Sequence, residues 1–205
     1  FTFNNHLDGV KVGVVTNVRI THKSVGQTNE EWEKNRLEFV KEKSTYLPTS
    51  VDVEIFYNEK SHIIKKQPKL SIIIPTKDNI DILFGCLKSI ITKSVYKNYE
   101  IIVADTGSSE KNMVKIEEFC EDKDFIKLVK FDYYNFAQIN NEVVYDHISK
   151  DTELLLFCNN DIELINDAIS RVVSVWLKNK NKVGTVGARL HFEDNTVQHG
   201  GMLLW

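Results

Sequence analysis

Proline and glycine are scarce in this chain of 205 residues, with 3 and 9 copies, and there are only 3 cysteines. So little proline and glycine excludes a collagen repeat, a proline-rich spacer and a low-complexity segment. Cys86, Cys120 and Cys158 are too few and too widely spaced for a disulfide scaffold or a zinc knuckle. Cys86 and Cys158 stand in apolar runs, where a buried thiol behaves as a small hydrophobe, and this usage suits a reducing, cytoplasmic compartment. Arginine is rarer still among the basic residues, with Arg19, Arg36, Arg171 and Arg189 set against a lysine majority, and the net charge is −3. A protein that grips a phosphate backbone carries a basic excess with guanidinium forks, so no nucleic-acid partner is expected. Long apolar runs are also missing: Ile72–Ile74 and Leu154–Cys158 fall far short of the ~20 residues of a membrane helix. A soluble chain, at most peripheral at the inner face of a membrane, is the expectation. Walker A, GxGxxG, GxSxG and HExxH motifs are absent, so P-loop hydrolysis, dinucleotide redox chemistry, serine hydrolysis and zincin proteolysis lack their parts.

What is present is an ordinary globular composition, 42% hydrophobic and 27% charged, enough for one sizeable domain or one domain with a piece of another. The loose alternation of Val12, Val14, Val18 and Ile20 predicts a strand over Lys11–His22. Thr28 and Glu31 form a capping box for an amphipathic helix that carries Trp32, Arg36, Phe39, Val40 and Lys43 and ends near Ser44. Residues 46–69 hold Pro48, Pro68, Lys60, Lys65, Lys66 and Lys69 without a sustained period, and read as a linker with one short strand at Val51–Phe56.

From Leu70 the pattern changes to alternating strands and helices. Strands are predicted at Leu70–Ile74, Ile101–Ala104, Ile126–Phe131, Leu154–Cys158 and Val183–Phe192. Helices are predicted at Asn79–Lys93, Glu110–Cys120, Phe136–Ser149 and Asp167–Lys178. Wholly apolar strands joined by helices indicate an α/β fold whose mostly parallel sheet is buried on both faces. Ligands of such sheets bind at the carboxyl ends of the strands. The residues there are polar: Pro75-Thr76-Lys77-Asp78-Asn79, Asp105-Thr106-Gly107-Ser108-Ser109, Asp132 to Asn135, and Asn159-Asn160-Asp161. A single such cluster is ordinary turn chemistry. Several on one edge suggest a site in which a carboxylate accepts from a base or ribose, or holds a hard cation beside a diphosphate.

The string Leu70-Ser71-Ile72-Ile73-Ile74-Pro75-Thr76-Lys77-Asp78-Asn79, with Tyr99 to Ser108 thirty residues on, resembles the opening of the family 2 glycosyltransferases. Asn135-Phe136-Ala137 with Asn140, the run into Asn159-Asn160-Asp161, and Val186 to Gly201 resemble the same family, including its rhamnosyl- and galactofuranosyl-transferring branches. The resemblance implies a GT-A fold, Rossmann-like with helices on both faces of the sheet, of which Leu70–Trp205 is the first half or so, incomplete at its C-terminal end. It implies transfer of a sugar from a nucleoside-diphosphate sugar to a glycan or lipid-linked acceptor in surface polysaccharide, lipopolysaccharide or cell-wall synthesis. Pro75, Thr76, Asp78, Asp105, Asn140 and Asn160 would line the nucleotide-sugar pocket, with the nucleobase at Asp105 and the backbone around Thr76. Asp161 would hold Mn2+ or Mg2+. The chain departs from the family pattern at Thr106 and Asn159, where acids are common.

Gly9 to Val15 and Val18 to His22, with Gly26, Trp32, Arg36, Phe39 and Lys43, resemble the closing strand and helix of the same family's domain. The expected organisation is therefore the tail of a preceding domain at 1–45, a linker at 46–69 and the nucleotide-binding part of the next domain at 70–205. His22 is either a metal ligand of the preceding domain or a plain strand-end histidine. The catalytic base is expected beyond Trp205, so the chain alone is expected to bind nucleotide weakly, to transfer no sugar, and to self-associate through an apolar edge near Leu203 and Trp205. Glu193 and Asp194 read as a solvated hairpin turn before Asn195, and His191 and His199 as structural histidines or pocket residues. Tyr133, Tyr134 and Phe136 either stack a base or, by default, pack in the core. Two alternatives stay open: a non-catalytic GT-A-like module that binds nucleotide or a partner domain, and a nucleotidyltransferase, which would want a glycine-rich loop where Pro75–Asn79 has no glycine.

Overall fold

A computed structural model of the chain describes residues 67–199 throughout, the backbone of 11–22 and 53–56, and helical positions 30, 34, 37, 38 and 41. Thr28, Glu31, Trp32, Arg36, Phe39, Leu203 and Trp205, and the side chain of His22, lie outside the described residues. The strands are β1 (Lys11–His22), β2 (Val53–Phe56), β3 (Leu70–Thr76), β4 (Tyr99–Asp105), β5 (Ile126–Lys130), β6 (Leu154–Phe157), β7 (Ile162–Leu164), β8 (Val183–His191) and β9 (Val197–His199). The helices are α1 (Ile80–Lys93), α2 (Glu110–Cys120), α3 (Phe136–Glu142) and α4 (Ala168–Asn179). Among the described residues no helix is long and apolar enough to cross a membrane. The chain divides into two compact units, one of residues 63–170 and one of residues 1–62 with 171–205.

The unit of residues 63–170 is built on a parallel sheet in the order β5-β4-β3-β6. Its two central strands are apolar almost throughout because both of their faces are covered: every residue of β4 is buried, and Ile72, Ile73 and Ile74 of β3 are wholly so. Ile73, Ile102 and Ala104 share one face and pack with Ile139 and Val143 from the α3 region. α1 buries Ile80, Leu83, Leu87 and Ile90, the stripe that helical spacing puts on one side. At the flanks the expectation of two-faced burial fails. β6 alternates half-buried and exposed positions, with Leu155 and Phe157 outward, and β5 exposes Lys127 and Lys130 in the way edge strands keep other strands away.

The last residues of the expected linker are tied down. The Tyr96 hydroxyl donates to the Pro68 carbonyl, Gln67 Oε1 accepts from Lys97 N–H at 2.8 Å, and the Lys69 carbonyl accepts from Leu154 N–H at 3.0 Å. The helix expected over Phe136–Ser149 is a regular helix only to Glu142. Asn135 Oδ1 caps its start by accepting from Gln138 N–H, and Val143–His147 then widens into a π-helical turn closed by Ile148 N–H on the Val143 carbonyl. A tertiary contact overrides the pattern here, because the next N–H, that of Ser149, is drawn to the buried carboxylate of Glu100 at 2.6 Å.

In the other unit the strand path is β2-β1-β8-β9. The alternating pattern leads one to expect β8 beside the β3–β6 series. It instead pairs in parallel with β1, with Val12 opposite Thr185 and Val14 opposite Gly187. β9 returns antiparallel to β8 through the expected hairpin turn, where Asn195 takes a left-handed φ of 67° and Asp194 Oδ1 accepts from Thr196 N–H and hydroxyl. β7 and β9 span three residues each, too few to leave a period in the sequence.

Candidate functional site

β3 and β4 run in register to a common edge, with Thr76 opposite Asp105. Beyond that edge the Thr76 carbonyl accepts from Thr106 N–H at 2.9 Å and from the Thr106 hydroxyl at 3.1 Å. The chain then passes through two successive left-handed residues, Asp78 at φ 50° and Asn79 at φ 51°, before α1 begins. Asx residues enter that region at least cost, and here the neighbouring loop holds them in it. Asp78 Oδ1 accepts from Ser109 N–H at 2.9 Å, the Ser109 hydroxyl at 3.1 Å and Asn112 Nδ2 at 2.8 Å, while Asp78 N–H donates to Ser108 Oγ at 2.6 Å. The Ser109 N–H above all, then the Asn112 amide, holds the Asp78 carboxyl below its usual range.

Asp105 is 1% exposed, and its own turn uses both of its oxygens. Oδ2 accepts from Gly107 and Ser108 N–H groups, each at 3.0 Å, and Oδ1 accepts from the Ser108 hydroxyl. Gly107 sits at φ 98° with no atom within 4 Å of where a Cβ would stand, so backbone conformation rather than crowding calls for glycine. The Ser108 hydroxyl thus donates to Asp105 and accepts from Asp78, which sews the β3 and β4 loops together.

The third loop follows β6. The Asn159 carbonyl is approached by the thiols of Cys158 at 3.4 Å and Cys86 at 3.7 Å. The adjoining Cys86 thiol, with burial second, pushes Cys158 well above the usual thiol range, so it stays neutral as a small hydrophobe should. Asn160 Nδ2 donates to Thr76 Oγ1 at 2.9 Å, joining this loop to the first. Asp161 follows, half-buried, and Asn159 is exposed. The donor set at this turn is one carboxylate among neutral amides, and among the described residues no group of three His, Cys, Asp or Glu converges to hold a metal. Such a set fits a hard cation that takes most of its oxygen ligands from a diphosphate.

The fold therefore brings Thr76, Asp78, Asp105 and Asn160 into one hydrogen-bonded set, with Asp161 next in the chain and half-buried Pro75 one residue before the edge. Asn140 shares no hydrogen bond with that set among the described residues. It is 5% exposed, its Nδ2 donates to the Phe136 carbonyl of its own helix, and its Oδ1 has no hydrogen-bond partner among the described residues. Tyr133 packs edge-on against Phe131, but Tyr134 and Phe136 are 70% and 48% exposed, so core packing is not their role. His191 is buried with Nδ1 against the Asn195 carbonyl, His199 and Glu193 are exposed, and Asp194 is engaged in its turn. The sequence pattern placed Ser109 only within the polar cluster after β4 and did not single out Asn112, whose one signal is its place in the first turn of α2, where polar residues are common.

The model of the family described as Glycosyl transferase family 2 matches residues 71–203. The chain is 34% identical over 140 residues to an uncharacterized protein, y4gI, of Sinorhizobium fredii, an alignment that covers 67% of this chain and 15% of that protein. It is 31% identical over 142 residues to the O-antigen biosynthesis protein RfbC of Myxococcus xanthus, covering 69% of this chain and 11% of the relative. The chain thus spans less than a sixth of the length of either relative. Among solved structures, GalNAc-T7 with UDP, GalNAc and Mn2+ superposes with a TM-score of 0.51 at 14% identity, over 77% of this chain and 31% of that one, a likeness of fold.

Proposed function

The chain belongs to glycosyl transferase family 2, and we propose that it carries the donor-binding part of an enzyme that moves a sugar from a nucleoside-diphosphate sugar to a glycan or lipid-linked acceptor. Synthesis of a surface polysaccharide such as O-antigen, at the cytoplasmic face of a membrane, is the setting we propose. The observation that carries the reading is the hydrogen-bonded set of three strand-exit loops on the carboxyl edge of a parallel sheet, ending at Asp161. In it the β3 and β4 loops would receive the nucleoside, and Asp161 would face the diphosphate and hold Mn2+ or Mg2+. The cation, when bound, supplies Lewis-acid stabilisation of the departing diphosphate. Asp105 keeps the β4 loop in shape, and Asp78 keeps the β3 loop against it. We assign no general base among the described residues, and propose that turnover needs more than this chain.

Calorimetry of the 205-residue chain against UDP, GDP and dTDP, with and without Mn2+, tests the reading. One of the three is expected to bind more tightly with Mn2+, and Asp161→Ala is expected to lose that gain while keeping the fold, since a half-buried carboxylate at a strand exit contributes little to folding. Equal Mn2+ dependence in variant and wild type would remove Asp161 from the site. A second reading, a nucleotide-binding module without turnover, is favoured by the neutral Asn159 and by the engagement of both Asp105 oxygens within their own turn. Sugar transfer by the full-length polypeptide separates the two.

A further inference from the structure

We infer that Asn160 is a positioning residue of this site, acting through Thr76 rather than by touching the nucleotide; the inference rests on the donor-site reading above. Thr76 is 4% exposed and works in two directions at once. Its hydroxyl accepts from Asn160 Nδ2 at 2.9 Å, across 84 positions of sequence, and its carbonyl accepts from Thr106 N–H and hydroxyl. Thr106 is itself 4% exposed. The β6 loop is therefore bolted to the β4 loop through the last residue of β3, and Asn160, immediately before Asp161, is the end of that bolt. The thiol contacts on the adjoining Asn159 carbonyl come from weak donors and are long, so they do not fix the turn as an amide does. With its Nδ2 committed to Thr76, Asn160 holds the carboxylate of the diphosphate end in a fixed relation to the loops of the nucleoside end. The two halves of the donor site are one preorganised body, and the advantage that Mn2+ confers on nucleotide binding depends on the amide.

The test has two readouts on the 205-residue chain. In the nucleotide-free protein, Asn160→Ala and Thr76→Val are expected to speed amide exchange at Thr106 and across residues 159–162 about three- to tenfold, the size of one neutral hydrogen bond. Thr76→Ser keeps the hydroxyl and is expected to retain the wild-type rates. In calorimetry with UDP, GDP and dTDP plus Mn2+, both disruptive variants are expected to bind the preferred nucleotide about three- to tenfold more weakly. The double variant is expected to be no weaker than the worse single one, because both remove the same contact. Unchanged exchange in the two variants overturns the inference, and so does faster exchange with unaltered affinity, which would make the contact structural only. Wild-type protein that binds none of the three nucleotides brings down the donor-site reading itself, and the positioning role with it. Wild-type binding that the variants match brings down the positioning role alone.

Discussion

A carboxylate that is 3% exposed between apolar strands survives only where its oxygens are fully engaged, and Glu100 of β4 meets that condition. Oε1 accepts from the Ser71 hydroxyl at 2.7 Å and from Ser149 N–H, and Oε2 accepts from the Ser149 hydroxyl and faces Lys127 Nζ, each at 2.7 Å. Burial pushes its pKa up, but the Lys127 ammonium and the Ser149 and Ser71 donors outweigh it and bring the group from 4.5 down to about 2. A depressed carboxyl stabilises the fold fully above its unfolded pKa, and that contribution is lost as pH falls from about 4.5 through about 2. Glu100→Gln should therefore lower stability by about 2–3 kcal/mol at neutral pH. In urea unfolding the gap should close toward pH 2, and a gap that does not depend on pH would mean that packing, not charge, is what Glu100 supplies. Asp105→Ala should cost about 1–3 kcal/mol, since it strands the Gly107 and Ser108 donors. The acids at the strand exits were legible because strand ends in a parallel sheet are where polar residues gather. Whether a given acid is spent on its own turn was not, since Asp105 and Asp161 both close apolar runs with a polar turn, and only the folded backbone aims Gly107 N–H and the Ser108 donors at Asp105.

Among the elements, the loop from β4 to α2 depends on one backbone conformation. Gly107→Ala has room for the added methyl, yet at φ 98° it should cost about 1–2 kcal/mol. Gly187→Ala in β8, also with open space and with ordinary φ, should be neutral or stabilise by up to about 1 kcal/mol. Thermal unfolding of the pair reads the difference, and equal effects would show that φ is not what Gly107 is there for. The same contrast explains what the sequence made readable. β3 and β4 have continuous apolar runs, α1 and α2 have helical periods, and all four sit within a few residues of their expected bounds. α2 is found at Glu110–Cys120, as expected. The end of α3 was not readable, because Ser149 is pulled to Glu100 from 49 positions away, and no local pattern carries that. Nor was the partner of β8, since strand periodicity fixes a strand's faces and leaves its neighbours open.

Across the whole chain, strand pairings differ greatly in the length of loop they close. Leu70 meets Tyr99 and Ile101 meets Ile126, each within about thirty positions, whereas Val12 meets Thr185 at the far end of the described chain. Loop-closure entropy makes the β1–β8 pairing about 1.5 kcal/mol costlier to initiate than β3–β4, and that cost precedes any of the contacts that repay it. The apolar runs of β3 and β4 also bury every residue or nearly so, whereas β8 buries only Val183 and His191, so the early pairing brings two almost wholly buried strands together. Refolding from urea with pulsed hydrogen exchange should therefore protect the amides of β3 and β4 first, with those of β1 and β8 following in a slower phase. Replacing Ile102 by Ala, which removes side-chain volume from the cluster with Ile73, Ala104, Ile139 and Val143, should slow the first phase and cost about 2–5 kcal/mol. Simultaneous protection of all four strands would mean that residues 63–170 do not form a folding unit of their own. Protection of β1 and β8 ahead of β3 would mean that the strand-exit loops form only after the long loop has closed.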